Sequence, residues 1–144
     1  MKRFFACVCL LLAFSCSKIN ESSIPYYRVY LTLDLRYQDK DLVGLYNVKS
    51  FTAPRNAAES TGFSGVFVVC GDNNVYYAYD LCCPHEAEKS IRVVPDLAGG
   101  AKCPQCGTEF STAYGSGAPV KGPSQYTLRR YNVTPRGQEL IVTN

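Results

Sequence analysis

GVFVVCGDNNVYYAYDLCCPH, residues 65–85, is the stretch that decides how this chain is read. Val66 to Cys70 and Val75 to Tyr79 are β-rich runs, and Gly71-Asp72-Asn73-Asn74 between them is a cluster of turn residues. Together they predict an antiparallel hairpin. Its second strand delivers the chain directly to Cys83-Pro84-His85. After seventeen intervening residues comes Cys103-Pro104-Gln105-Cys106-Gly107, so two short loops carry four soft-metal ligands, including the only histidine.

A Cys-x-His pair and a Cys-x-x-Cys pair each hold two donors on a tight turn, and two such turns facing each other supply four ligands. Thiolate and imidazole suit zinc and iron-sulfur centres, whereas the oxygen donors preferred by calcium or magnesium are not gathered here. The site is therefore a zinc site or a cluster site, or else the cysteines are oxidised. The proline after each first cysteine and Gly107 after Cys106 fit turns whose backbone amides point toward sulfur.

Outward from this centre the sequence reads almost wholly as strands and turns. Val29, Leu31, Leu33 and Leu35 alternate with Tyr30, Thr32 and Asp34, the period of a strand with one buried face. Leu45 to Phe51 predicts another strand, and Ala53 to Thr61 a surface loop in which Ala57 to Ser60 could form one helical turn. After the first ligand loop, Ser90 to Val94 and Glu109 to Thr112 predict short strands, with a turn over Asp96 to Gly100 and a Gly/Pro-rich stretch from Gly115 to Pro123. Tyr126 to Val133 and Glu139 to Val142 form a closing hairpin across Thr134 to Gln138. No window of a dozen residues has a helical period. The expected fold class is all-β: an antiparallel β-sandwich or small barrel over residues 26–144, with ligand loops 81–88 and 102–108 at one end. The 11 tyrosines are read as strand residues with polar tips, not as a functional surface.

The first residues have another character. Lys2 and Arg3 precede an apolar run from Phe4 to Phe14, too short for the roughly 20 residues that span a bilayer, and Ala13-Phe14-Ser15-Cys16 forms a loose lipobox. Residues 1–15 are expected to be a signal peptide, and Cys16 a lipidated terminus followed by a polar linker over 16–25. These features are similar to the leaders of bacterial lipoproteins and imply a lipid-anchored protein of the cell envelope. Without the leader, Lys+Arg falls from 15 to 13 against 12 acidic residues, a balance that gives no sign of nucleic-acid binding. Of the 8 cysteines, Cys70, Cys82, Cys83, Cys103 and Cys106 then remain, an odd set that does not pair off as a disulfide framework. Cys70 reads as a small core residue. Cys82 is expected to point away from its neighbour Cys83, as a buried or spare thiol.

From Ser64 onward the chain resembles the Rieske domain of iron-sulfur proteins. The resemblance rests on the hairpin ending in Tyr79-Asp80, the Cys83-x-His85 and Cys103-x-x-Cys106 boxes, Gly107-Thr108-Glu109-Phe110, and Gly122-Pro123 before Leu128. It implies a 2Fe-2S cluster and electron transfer, with Cys83 and Cys103 on one iron and His85 on the other. The fourth position is Cys106, where the family has histidine, so the implied ligand set is Cys83, His85, Cys103 and Cys106. Where respiratory members carry an extra cysteine in the first loop, this chain has Glu88, which makes it less like a quinol-oxidising subunit. With 1 histidine in total it lacks the second, mononuclear iron site of a ring-hydroxylating oxygenase. The resemblance thus points to an electron carrier with a redox partner protein, not to a stand-alone enzyme. Two alternatives stay open: a structural zinc site, since Cys-Pro-x-Cys-Gly is also a zinc-ribbon knuckle, and a disulfide between or within the loops.

Overall fold

A computed structural model describes residues 18–144, so the expected signal peptide and Cys16 lie outside the described residues. Eleven strands follow in chain order: β1 (Val29–Asp34), β2 (Val48–Phe51), β3 (Ser60–Thr61), β4 (Val66–Cys70), β5 (Tyr76–Asp80), β6 (Val94–Pro95), β7 (Gly100–Lys102), β8 (Glu109–Ser111), β9 (Pro119–Lys121), β10 (Arg130–Arg136) and β11 (Glu139–Thr143). Among the described residues the only helical elements are single 3-10 turns at Lys40–Leu42 and Asp72–Asn74. No described helix is long and apolar enough to cross a membrane.

The strands form two antiparallel sheets. One has seven strands in the order β2-β4-β5-β10-β11-β1-β3, and the other four in the order β6-β7-β8-β9. The larger sheet curls far enough for its ends to meet through side chains, as Arg55, just after β2, donates from Nη2 to the Thr32 carbonyl of β1 at 2.8 Å. Inside the curl lies a core of Val29, Leu31, Leu33, Leu42, Phe51, Val66, Val68, Ala78, Tyr131, Leu140 and Val142. The opposite face of the β4-β5 hairpin contributes Phe67, Val69 and Tyr79 to a second core, completed by Val93, Ala101, Phe110 and Leu128 beneath the small sheet. This double coverage explains why Val66 to Cys70 is apolar without alternation, whereas β1, covered on one face, alternates.

The predicted hairpin has the register Val66↔Asp80 to Cys70↔Tyr76, and Cys70 is fully buried, as expected of a core residue. Other expectations need correction. Residues 60–61 of the expected surface loop form β3 at the edge beside β1, and Ala57 and Ala58 form a turn, not a helix. Of the strand expected over Ser90 to Val94, Arg92 pairs with Cys82 in an isolated antiparallel bridge, with Cys83 N–H bonded to Ile91 O and Val93 N–H to Leu81 O, and the continuous strand is only Val94–Pro95. The Gly/Pro-rich stretch 115–123 contains β9. The final turn is only Gly137-Gln138, and β10 runs through Pro135. Proline is tolerated there because β10 pairs with β5 only at Arg130 and Tyr131, so Pro135 has an open side.

Part of the expected linker is docked on the domain. Asn20 makes a parallel bridge with Tyr126, Ile24 is buried, and Arg129 donates to the Ile24 carbonyl. A further polar network was not foreseen. Arg55 binds Glu59 and Asp39 together, Lys49 binds Asp39 at 3.0 Å, and both carboxylates are almost wholly buried. Spacing alone shows Arg55 and Glu59 four apart, but Asp39 reaches them only through the curl of the sheet.

Candidate metal centre

Both ligand loops are built alike. Each leaves a strand, makes one turn and closes it with an amide four residues on: Ala87 N–H to Cys83 O at 2.9 Å, and Gly107 N–H to Cys103 O at 3.0 Å. Each closing residue has a positive φ, 51° at Ala87 and 74° at Gly107. Glycine takes that conformation freely, whereas alanine is strained in it.

The spacing inside each turn decides where the second ligand points. Three residues on, a helix-like turn has come back nearly to its starting face; two residues on, it points to the far side. Cys106 therefore returns to Cys103. His85 is carried outward and is exposed. The sulfurs of Cys83, Cys103 and Cys106 all lie within 4.8 Å of one another, with Cys83 and Cys106 3.7 Å apart, while the exposed His85 stands outside that group. Three of the four expected ligands are thus brought together across the two loops, and the fourth sits at the rim of the same end.

Burial grades the site from inside to outside. Cys83 and Cys103 are fully buried and belong to the second core, Cys106 is partly exposed and packs on that core, and His85 faces solvent. Burial pushes the Cys83 thiol up to about 12, against the opposing backbone amides of Glu86 and His85 and with a further rise from Cys103. For Cys106 burial works the same way, but it is outweighed by hydrogen bonds from the Thr108 hydroxyl and amide and from the neighbouring thiols, so its pKa falls below the ordinary thiol value. Cys106 gives up its proton more readily than Cys83, and a bound metal would favour the thiolate at every sulfur it touches.

The supports behind the loops are specific. Thr108 is buried, approaches the Cys106 sulfur at 3.1 Å through Oγ1, accepts from Ser124 N–H with the same atom, and takes the Cys103 amide on its carbonyl. Gly122 presses on this residue with φ +105°, where a Cβ would lie 2.6 Å from Thr108 Cα, so only glycine fits. Behind the first loop, the buried carboxylate of Asp80 accepts from the amides of Phe63 (2.9 Å), Ser64 (3.2 Å) and Cys82 (2.8 Å), and from the Tyr131 hydroxyl (2.7 Å). Burial and the Asp80 charge push the tyrosine's pKa upward. The sequence quotes Asp80 at the end of the hairpin without revealing this role. An acidic residue closing a run of buried strand positions is the one signal it offers.

Cys82 is buried, with its sulfur 3.2 Å from Glu88 O, and burial followed by the Asp80 charge raises its pKa to about 12. It stands outside the trio, as expected of a spare thiol. All five described cysteines are free.

No family model matches the sequence, and no curated protein matches it. Among solved structures, the cyanobacterial plasma membrane Rieske protein PetC3 from Synechocystis PCC 6803 superposes with a TM-score of 0.53 at 24% identity, over 82% of this chain and 99% of that one. The ferredoxin of carbazole 1,9a-dioxygenase from Nocardioides aromaticivorans IC177 matches at a TM-score of 0.47 and 24% identity, over 81% of this chain and 95% of that one. The Sphingomonas yanoikuyae B1 ferredoxin matches at 0.47 and 13% identity, over 83% and 99%. The element order, the two sheets and the superposition on PetC3 define the class: this chain has the Rieske fold. Within that fold it carries a cysteine group that could bind a metal, Cys83, Cys103 and Cys106.

Proposed function

We propose that the chain is an electron-transfer protein of the cell envelope whose two loops hold a 2Fe-2S cluster through Cys83, Cys103, Cys106 and His85. The observation that carries this reading is the burial gradient across the loops of a Rieske fold: two buried thiols inside, and one half-exposed thiol and one exposed imidazole outside. That gradient fits an inner iron on Cys83 and Cys103 and an outer iron on His85 and Cys106, and the soft donors suit iron and sulfide. When bound, such a cluster supplies one-electron exchange. The protein's part is to exclude water from the inner thiolates through Leu81, Val93 and Phe110, and to present His85 at the surface, where a redox partner protein would meet it.

Acylation of Cys16 belongs to the same proposal. Asn20 is already paired with Tyr126, so at most about 14 Å of extended chain separates the anchored residue from the docked segment, and the domain would stay close to its membrane.

A second reading, one structural zinc ion, is favoured by a specific distance. Two thiolates on one tetrahedral ion at a metal-sulfur distance near 2.3 Å stand about 3.8 Å apart, and the Cys83 and Cys106 sulfurs stand 3.7 Å apart. Ligands on different irons are separated by the metal-metal vector as well. Anaerobic purification followed by iron, sulfide and zinc analysis, visible absorption and reduced-state paramagnetic resonance decides between them. Brown protein with two irons per chain and a resonance on reduction is expected; colourless protein with one zinc would overturn electron transfer.

A further inference from the structure

Residues 20–24 form a strap with two fixed ends. At one end, Asn20 N–H donates to Gln125 O at 2.7 Å and Asn20 O accepts from Thr127 N–H at 3.0 Å. At the other, Ile24 is buried in the domain and its carbonyl accepts both Nε and Nη2 of Arg129. Just before this second anchor, Ser23 Oγ donates to the carbonyl of Pro84 at 2.7 Å, across 61 residues of sequence. Pro84 is the residue between the ligand candidates Cys83 and His85.

We infer that the strap positions the first ligand loop, with Ser23 as a positioning residue that fixes the Pro84–His85 peptide from outside the metal centre. The consequence for the metal rests on reading Cys83 and His85 as ligands. The Pro84 carbonyl and the His85 amide belong to one planar peptide, so holding the oxygen sets the plane from which the His85 side chain departs and the direction of its N–H. The loop's own backbone bonds tie Cys83 N–H to Ile91 and Cys83 O to Ala87, which leaves the middle of the turn to an outside partner. Pro84 has no N–H, so its carbonyl is the only backbone handle that residue offers. The second loop is steadied from behind by Thr108, Ser124 and Gly122; Asp80 steadies the start of the first at the Cys82 amide, and the strap holds its middle at Pro84.

The test uses the full chain with Ser23→Ala and Ser23→Thr. In metal-free protein, hydrogen exchange over residues 85–88 should run roughly three- to tenfold faster in Ser23→Ala, and Ser23→Thr, which keeps the hydroxyl, should restore it. Exchange in the β4-β5 hairpin should stay unchanged in both. Titration with cobalt(II) alone, under reducing and anaerobic conditions, should show roughly tenfold weaker binding in Ser23→Ala, with altered ligand-field bands and recovery in Ser23→Thr. Wild-type exchange rates in Ser23→Ala, or equal loss in both variants, would overturn the positioning role. Wild-type protein that takes up no cobalt would overturn the metal-centre reading, and hydrogen exchange would still decide the strap.

Discussion

The two ligand loops are the same turn used twice, and their differences assign their roles. In the second loop, Cys106 follows Cys103 by three residues, so both sulfurs join the same group, the buried Cys103 and the partly exposed Cys106, and Gly107 closes the turn without strain. In the first, His85 follows Cys83 by two residues and faces outward, and Ala87 closes the turn at φ 51°. A relaxed loop holds two sulfurs. A strained loop holds one sulfur and presents an imidazole to the exterior. A difference of one residue in spacing separates a loop that adds both its candidates to the sulfur group from a loop that adds only Cys83.

Several measurements would break or sharpen this contrast. The largest effect belongs to the inner thiols: Cys103→Ala removes a buried thiol shared by the cluster and zinc readings and should abolish metal incorporation, seen by elemental analysis, whereas His85→Ala should retain part of it. Next is the departure from the Rieske ligand pattern. A thiolate in place of an imidazole adds negative charge and disfavours reduction, so Cys106→His should raise the midpoint potential from near −400 mV toward the range of about −150 to +300 mV. Voltammetry showing no rise would remove Cys106 from the ligand set.

Asp80→Asn weakens the acceptor that gathers three amides and the Tyr131 hydroxyl behind the first loop, and should lower stability by about 2–3 kcal/mol in denaturant unfolding. Ala87→Gly should relieve the first loop's strain and raise stability by about 0.5–1 kcal/mol; a loss would mean that the strain is balanced by contacts of the alanine methyl.

A last, pH-dependent effect lies away from the loops, in the Arg55 network. Burial raises the Glu59 pKa, but the Arg55 hydrogen bonds outweigh it and hold the carboxyl below its ordinary value of 4.5. The folded state therefore binds that proton less readily than the unfolded chain. The stabilisation is fully present above the ordinary carboxylate range and is lost as pH falls through the lowered pKa. Arg55→Met should flatten this acid limb of the stability profile.

Much of this was legible in the sequence where local pattern and burial coincide. Alternation from Val29 to Leu33 and the turn cluster between Val66 and Tyr79 gave β1 and the β4-β5 hairpin, because each run is long enough to carry its own period. Two-residue β3 and three-residue β9 carry no period, and their pairing comes from neighbours distant in sequence. At the site, residue type and spacing named all four candidates as one set, whereas the structure brings the three sulfurs together and leaves the exposed His85 outside that group. The contacts that steady the loops were not legible: Ser23 to Pro84 and Tyr131 to Asp80 span 61 and 51 residues, and single polar residues give no sign of a partner so far away.

The central claim is that three thiolates and His85 share one metal centre. X-ray absorption at the metal edge of the purified protein tests it most directly, with His85→Ala alongside. The account predicts an iron edge with sulfur neighbours, a second iron at short range, and a nitrogen contribution that His85→Ala removes. A zinc edge with no metal neighbour, or a spectrum unchanged by His85→Ala, would contradict it.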